Sequence, residues 1–224
     1  MQRLLWWIWV PLVCLLGNVP FARATLNYQL EVFNGDVPEL NMYVQVVDGG
    51  PGLVDFVFYN QSTIESSMAR IYFDDDAEIL SAVVAIQGEG TSFHADASPG
   101  NLPGGRSLNP IFDARDQFTF AALAPPPKNG INPGERTVIT FNLSGAIGLD
   151  DVAYALGGGM LRMGVHVIAL PDGSSASAVN IPLPATAFLF GFGAVLLRSF
   201  RPKTRTNTAR LVEQRDCLDF GGKR

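Results

Sequence analysis

Leu161-Arg162-Met163-Gly164-Val165-His166-Val167-Ile168-Ala169 places Leu, Met, Val, Val and Ala at the odd positions, with Arg162, Gly164 and His166 between them. Successive side chains of a strand point to opposite faces, so this order orients one: the odd residues face a core, opposite Arg162, Gly164 and His166. Leu53 to Tyr59 reads differently, because Val54, Phe56 and Phe58 share one face while Leu53, Val57 and Tyr59 share the other with Asp55. Two apolar faces are the pattern of a central strand lying under loops or a helix. Outward from these two, runs of strand composition recur at 27–33, 41–47, 69–73, 79–87, 117–121, 137–143 and 176–180, separated by Gly, Pro, Asn and Asp. With 54–59 and 160–170 they predict an all-β fold, an antiparallel β-sandwich of jelly-roll type.

One short helix is expected at Asp150 to Leu156, where Asp150 and Asp151 occupy the first turn and Gly157 to Gly159 end it. Carboxylates there complement the positive end of the helix dipole. The segment 88–115 carries Ser98-Pro99-Gly100, Leu102-Pro103-Gly104-Gly105 and Asn109-Pro110, and reads as a long ordered surface loop. Ala124-Pro125-Pro126-Pro127 to Pro133-Gly134 reads as a rigid connector before the next strand, and the Ser/Ala-rich 171–180 as partly a flexible spacer.

The two ends are not domain material. Residues 1–24 read as a signal peptide, with Arg3 as the basic region, an apolar Leu4 to Leu16, and Ala22-Arg23-Ala24 as the site for signal peptidase. An uncleaved anchor is the alternative. Residues 25–180 then form one extracytoplasmic domain, with 6 Lys/Arg against 18 Asp/Glu, a net charge of −12. So acidic a body repels phosphate backbones, which argues against nucleic acid as a partner. Cys14 and Cys217 both lie outside it, so the body has no disulfide, thiol nucleophile or cysteine-bound metal. Trp6, Trp7 and Trp9 are all in the leader, leaving Tyr28, Tyr43, Tyr59, Tyr72 and Tyr154 as aromatic platforms.

At the other end stand Ile181-Pro182-Leu183-Pro184-Ala185, an apolar run to Leu197, and the basic cluster Arg198, Arg201, Lys203 and Arg205. Ile181 to Leu197 is 17 residues without a charge. As a helix it would be ~25 Å long against the ~30 Å hydrocarbon core of a bilayer. A transmembrane helix at 185–197, with the basic cluster on the inner side, is expected; a buried core helix is the alternative. A basic and polar tail, 206–224, follows.

This segment resembles the C-terminal sorting signal of bacterial PEP-CTERM proteins, in the variant that reads VPLPA. The chain departs from that pattern in having Ile181 for Val, no Glu between the prolines, and a continuation to Arg224. Ile71-Tyr72-Phe73-Asp74-Asp75, 98–105, Ile131-Asn132-Pro133-Gly134-Glu135 and 161–167 look like the cargo of a group within that family, so the resemblance extends over 25–205. It implies an exported protein, anchored in the membrane, cut near the prolines by an exosortase-type membrane protease, and then placed at the cell surface or in an exopolysaccharide matrix. It implies no chemistry for the body.

Candidate chemistry is sparse. Asp74-Asp75-Asp76-Ala77-Glu78 is the densest carboxylate cluster, and Asp74, Asp75 and Asp76 are the candidate ligands of a calcium ion. The cluster lacks the alternating spacing of a calcium loop, and a solvated acidic turn is the other reading. His94 and His166 are the sole histidines. Ser92, His94 and Asp96 can be drawn as a hydrolytic triad, but no G-x-S-x-G elbow accompanies them. No phosphate loop, dinucleotide fingerprint or zinc spacing occurs. The expected function is therefore structural or adhesive and non-enzymatic, and its sharper form is binding of acidic or neutral polysaccharide bridged by calcium through the Asp74 region and exposed tyrosines. A surface hydrolase of glycosidase or esterase type, using His94 or an acidic pair, is the alternative.

Overall fold

The computed structural model describes residues 24–114 and 118–180. Ten strands form in chain order: β1 (Thr25–Asn34), β2 (Met42–Gly50), β3 (Leu53–Asn60), β4 (Ser67–Asp75), β5 (Leu80–Glu89), β6 (Phe93–Ala95), β7 (Thr119–Ala122), β8 (Arg136–Leu143), β9 (Leu161–Ile168) and β10 (Ala176–Asn180). Two short helices accompany them, α1 (Pro126–Asn129) and α2 (Leu149–Gly157). β6 falls inside the stretch read as loop; the other nine strands lie where alternation put them.

The expected sandwich does not form. All ten strands are hydrogen-bonded into one sheet in the order β5-β8-β3-β2-β1-β10-β9-β4-β7-β6, with every ladder antiparallel. A sandwich needs two sheets that share no ladder. Here β1 pairs with β10, joining what would have been separate halves. The sheet then curls on itself. Phe56 on β3 and Phe73 on β4 are five strand positions apart, which in a flat sheet would separate them by ~24 Å at ~4.8 Å per strand. Their ring centroids are 4.9 Å apart. The two end strands, β5 and β6, come into contact, and the fold is a nearly closed antiparallel barrel.

Alternation explains what fills it. Met42, Val44 and Val46, Val54, Phe56 and Phe58, Ile139 and Phe141, and Leu161, Met163, Val165 and Val167 all point inward and are fully buried. Phe73 sits edge-on to Phe56, Phe58, Phe120 and Phe141, at centroid distances of 4.9, 5.9, 5.9 and 4.9 Å. T-shaped pairs at these distances add ~0.5–1.5 kcal/mol each to simple burial.

A second apolar cluster lies outside the barrel wall. Tyr72 on β4 and Val179 on β10 are covered by Leu102, Phe112 and Ala114 of the long loop, all buried. Gly164 on β9 makes that approach possible: a Cβ there would lie 2.7 Å from Leu102 Cδ2 and 3.1 Å from Phe112 Cζ. Both faces of β4 and β9 are therefore buried, and Arg162 is 7% exposed.

α2 forms as its sequence suggests. Asp151 accepts a hydrogen bond from Gly148 N–H at 2.9 Å, and Val152, Ala155 and Leu156 are buried. The proline connector is a correction: Pro126 and Pro127 begin a one-turn helix, in which Gly130 N–H bonds to the Pro126 carbonyl at 2.8 Å. Proline is compatible with the first helical turn, where its missing N–H has no intrahelical partner to lose.

The signal-peptide features, including Ala22, and the sorting and basic residues Ile181, Pro182, Leu183, Pro184, Ala185, Arg198, Arg201, Lys203 and Arg205 lie outside the described residues; Ala24 is the first described residue and is exposed. Among the described residues no helix is long and apolar enough to cross a membrane. The expected membrane anchoring, and the cell-surface placement built on it, therefore have no element of the described structure to rest on.

Candidate functional site

On β2 and β3 the inward residues leave Tyr43, Gln45, Val57 and Tyr59 on the outer face. Tyr43 stands directly across the ladder from Tyr59. Their rings are stacked, with centroids 4.7 Å apart and planes 10° from parallel. Tyr59 also lies opposite Arg136 on β8, and Tyr43 opposite Gln29 on β1.

Polar groups surround the pair. Tyr59 Oη donates to Gln45 Oε1 at 3.1 Å and accepts from Arg136 Nη1 at 3.5 Å. Gln61 Nε2 donates to Tyr43 Oη at 3.4 Å, and Gln29 Nε2 donates to Asn41 Oδ1 at 3.2 Å. Beside Tyr59 and Arg136 opens a cleft of about 330 Å³, walled also by Glu89, Gly90 and Glu135. Glu135 is held by Asn132, whose backbone N–H and Nδ2 both donate to Oε2, at 2.9 and 3.0 Å. The face thus carries phenol, amide, guanidinium and carboxylate groups on a rigid ladder. A cross-strand tyrosine pair also steadies the sheet, at ~0.2–1 kcal/mol relative to alanines. The ring of amides and the adjoining cleft go beyond that role, because they offer both donors and acceptors to a hydroxyl-rich ligand.

The carboxylate cluster is disposed otherwise. Asp74 and Asp75 are each 2% exposed, whereas Asp76 is exposed. Asp74 Oδ2 accepts from Arg162 Nη2 and, at 3.1 Å, from the backbone N–H of Asp113. Burial pushes the Asp74 carboxyl above the usual carboxylate range, opposed by the Asp113 amide and by Arg162. Asp75 accepts from the N–H groups of Ile79 and Leu80, at 3.2 and 2.8 Å, and so shapes the β4–β5 turn. The three side chains are not brought together as calcium ligands, and among the described residues no group of three or more His, Cys, Asp or Glu could hold a metal ion.

His94 lies on β6 opposite Ala121 and is exposed. Among the described residues no hydrogen bond links it to Ser92 or Asp96. Ser92 instead ties the edge together through its backbone, donating to the Asn129 carbonyl and accepting from Leu123 N–H, both at 2.8 Å. His166, on the outer face of β9, lies opposite Arg70, and burial, aided by that positive charge, lowers its pKa below 6.5. Of the remaining tyrosines, Tyr28 and Tyr72 are buried, and Tyr154 stands alone on α2 with 75% of its surface exposed.

Sequence reading named Tyr43 and Tyr59 but not their pairing, and it missed Gln45, Gln61 and Arg136. The available signal was their shared parity: Tyr43 with Gln45, and Val57 with Tyr59, take the outer face wherever Val44 and Phe58 go inward. No family model, no curated protein and no solved structure matches this chain, so the PEP-CTERM resemblance has no family match behind it and rests on the motifs that suggested it.

Proposed function

We propose that residues 25–180 form a non-enzymatic structural or adhesive domain that holds neutral polysaccharide on the outer face of β2 and β3. The stacked Tyr43–Tyr59 pair within its ring of Gln29, Gln45, Gln61 and Arg136 is the observation that carries this reading. Sugars combine apolar C–H faces with hydroxyls that both donate and accept, and this face offers aromatic carbon beside both kinds of partner. A neutral glycan fits better than an acidic one, because a body of net charge −12 repels polyanions. Calcium has no part in this reading, since Asp74 and Asp75 are engaged by Arg162 and by backbone amides.

Affinity electrophoresis of the full chain through gels containing dextran, hydroxyethylcellulose or galactomannan tests it. Retardation by at least one of these, lost in Tyr43→Ala/Tyr59→Ala with the melting temperature within a few degrees of the parent, is the expected result. Unretarded migration in all three, or release of reducing ends from any of them, would overturn it. Processing at Ile181 to Ala185 belongs to the same reading and is tested by intact mass from the native host. A chain ending near Pro184 supports it, and one ending at Arg224 refutes it.

A further inference from the structure

The tyrosine pair is the middle of a longer row. The ladders place Gln29 on β1 opposite Tyr43, Tyr43 opposite Tyr59, Tyr59 opposite Arg136, and Arg136 opposite Glu89 on β5. Residues directly opposite in an antiparallel ladder point to the same face, so these five side chains form one line across the outer side of five strands. Four strand spacings of ~4.8 Å make the line ~19 Å long.

The surface under the row is broad, because the barrel is flattened. Phe56 of β3 meets Phe73 of β4, and Phe141 of β8 meets Phe120 of β7, with 4.9 and 6.0 Å between ring centroids. At the end of the sheet β5 touches β6. The half β5-β8-β3-β2-β1 therefore folds over the half β10-β9-β4-β7-β6, and its outer side is a face rather than the flank of a cylinder.

A cleft opens at each end of the row. At the β1 end, Gln29, Glu31 and Asp36 stand with Val37 and Pro38 around one of about 340 Å³. At the β5 end lies the cleft of about 330 Å³ bordered by Tyr59, Arg136, Glu89 and Glu135. Both contain carboxylates, which accept hydrogen bonds from sugar hydroxyls and repel a chain of uronic acids. A straight, rigid row favours a ligand that is already extended, since such a chain loses little conformational freedom on binding. Hexoses in β-1,4 linkage form extended chains, and each unit advances about as far as one strand spacing.

We propose that the row is the track of a neutral β-1,4-linked glycan, which crosses the strands from the cleft at Gln29 to the cleft at Glu89 with about four sugar units on it. The assignment rests on the glycan-holding role of the tyrosine pair and adds the direction, length and linkage of what is held.

Titration of the full chain with cello- and manno-oligosaccharides of two to six units, followed by amide chemical shifts, tests this. In at least one series affinity should rise at least tenfold from two units to four and change less than twofold from four to six. Gln29→Ala and Glu89→Ala, both at exposed positions, should each weaken binding of the four-unit sugar at least threefold. Asp55→Asn stands two rows along β3 from Tyr59 and keeps the oxygen that Thr140 bonds, so it should bind like the parent. No binding of either series together with unretarded migration in the polysaccharide gels would overturn the tyrosine reading and the track with it. Retardation in those gels without binding of either series would overturn the track alone. So would affinity that is flat from two units to four or still climbing to six, parental binding by both end variants, or loss of binding in Asp55→Asn.

Discussion

Arg162 on β9 and Asp74 on β4 face one another across the β4–β9 ladder, joined by a hydrogen-bonded ion pair that is almost wholly buried. The pair also reaches into the long loop: Arg162 holds the carbonyls of Pro110 and Ile111, Asp74 holds the amide of Asp113, and the guanidinium lies 5.3 Å from the centroid of Phe112. One cross-strand pair thereby fastens a loop to the wall of the barrel.

Removing one partner leaves the other charge buried and alone. Arg162→Ala should lower unfolding stability by ~3–5 kcal/mol, whereas Asp74→Leu/Arg162→Met should lose far less, since replacing a whole buried pair by apolar groups is often neutral. Denaturant melts of both variants check this, and hydrogen exchange over 99–113 should rise in both, since each removes side chains that hold the loop. Equal losses would show that the stranded charge is not what makes Arg162→Ala costly.

Gly164 sits where the loop meets β9, and a side chain there has nowhere to go. Gly164→Val should cost ~1–3 kcal/mol through overpacking against Leu102 and Phe112, although valine suits strands better than glycine. Leu102→Ala in the same chain should recover part of the loss. Thermal melts showing a Gly164→Val chain as stable as the parent would mean that the loop lifts away freely.

Phe73 is the meeting point of four rings from β3, β7 and β8. Phe73→Ala should destabilise by ~3–5 kcal/mol, the range for removal of a fully buried aromatic ring, and Phe73→Leu by distinctly less. Urea unfolding midpoints measure both. Similar midpoints for the two variants would argue that edge-on packing across the barrel adds little.

His166 has a folded pKa below its ordinary 6.5, chiefly from burial and secondly from Arg70 across the ladder. The unfolded chain therefore binds the proton more readily. Its contribution to stability is fully present above pH 6.5 and is lost as the pH falls through the lowered folded value. Asp74 works in the opposite sense and lower on the scale: its raised pKa favours the folded chain below the ordinary carboxylate value and the benefit fades as the pH rises through the folded one. Melting temperature should accordingly fall from pH 7.5 to 5.5, and His166→Gln should flatten that fall. An unchanged slope in the variant would remove His166 from the account.

Period-two alternation sufficed to locate nine strands, their inward faces and most of the core, because burial of one face writes itself into the order of residues. The strand β6 escaped because three residues, Phe93–Ala95, are too few to show a period. The Tyr43–Tyr59 pair was half legible: parity assigns each ring to the outer face, but their contact depends on the β2–β3 register. Arg162 was not legible as the residue that fastens the long loop, since its partners, Asp74 and the carbonyls of Pro110 and Ile111, come from distant parts of the chain.

By itself, then, the order of apolar and polar residues determined an all-β chain with an acidic body and one amphipathic helix. Tertiary structure alone decided that the strands close into a barrel, and that the loop after β6 covers its outer wall. The reason is that alternation sets which face a side chain takes and says nothing about which strand lies beside it. That choice comes from pairings between distant segments: β1 with β10 makes the sheet continuous, and Asp74 with Arg162, 88 residues apart, binds the loop that makes two-sided burial possible.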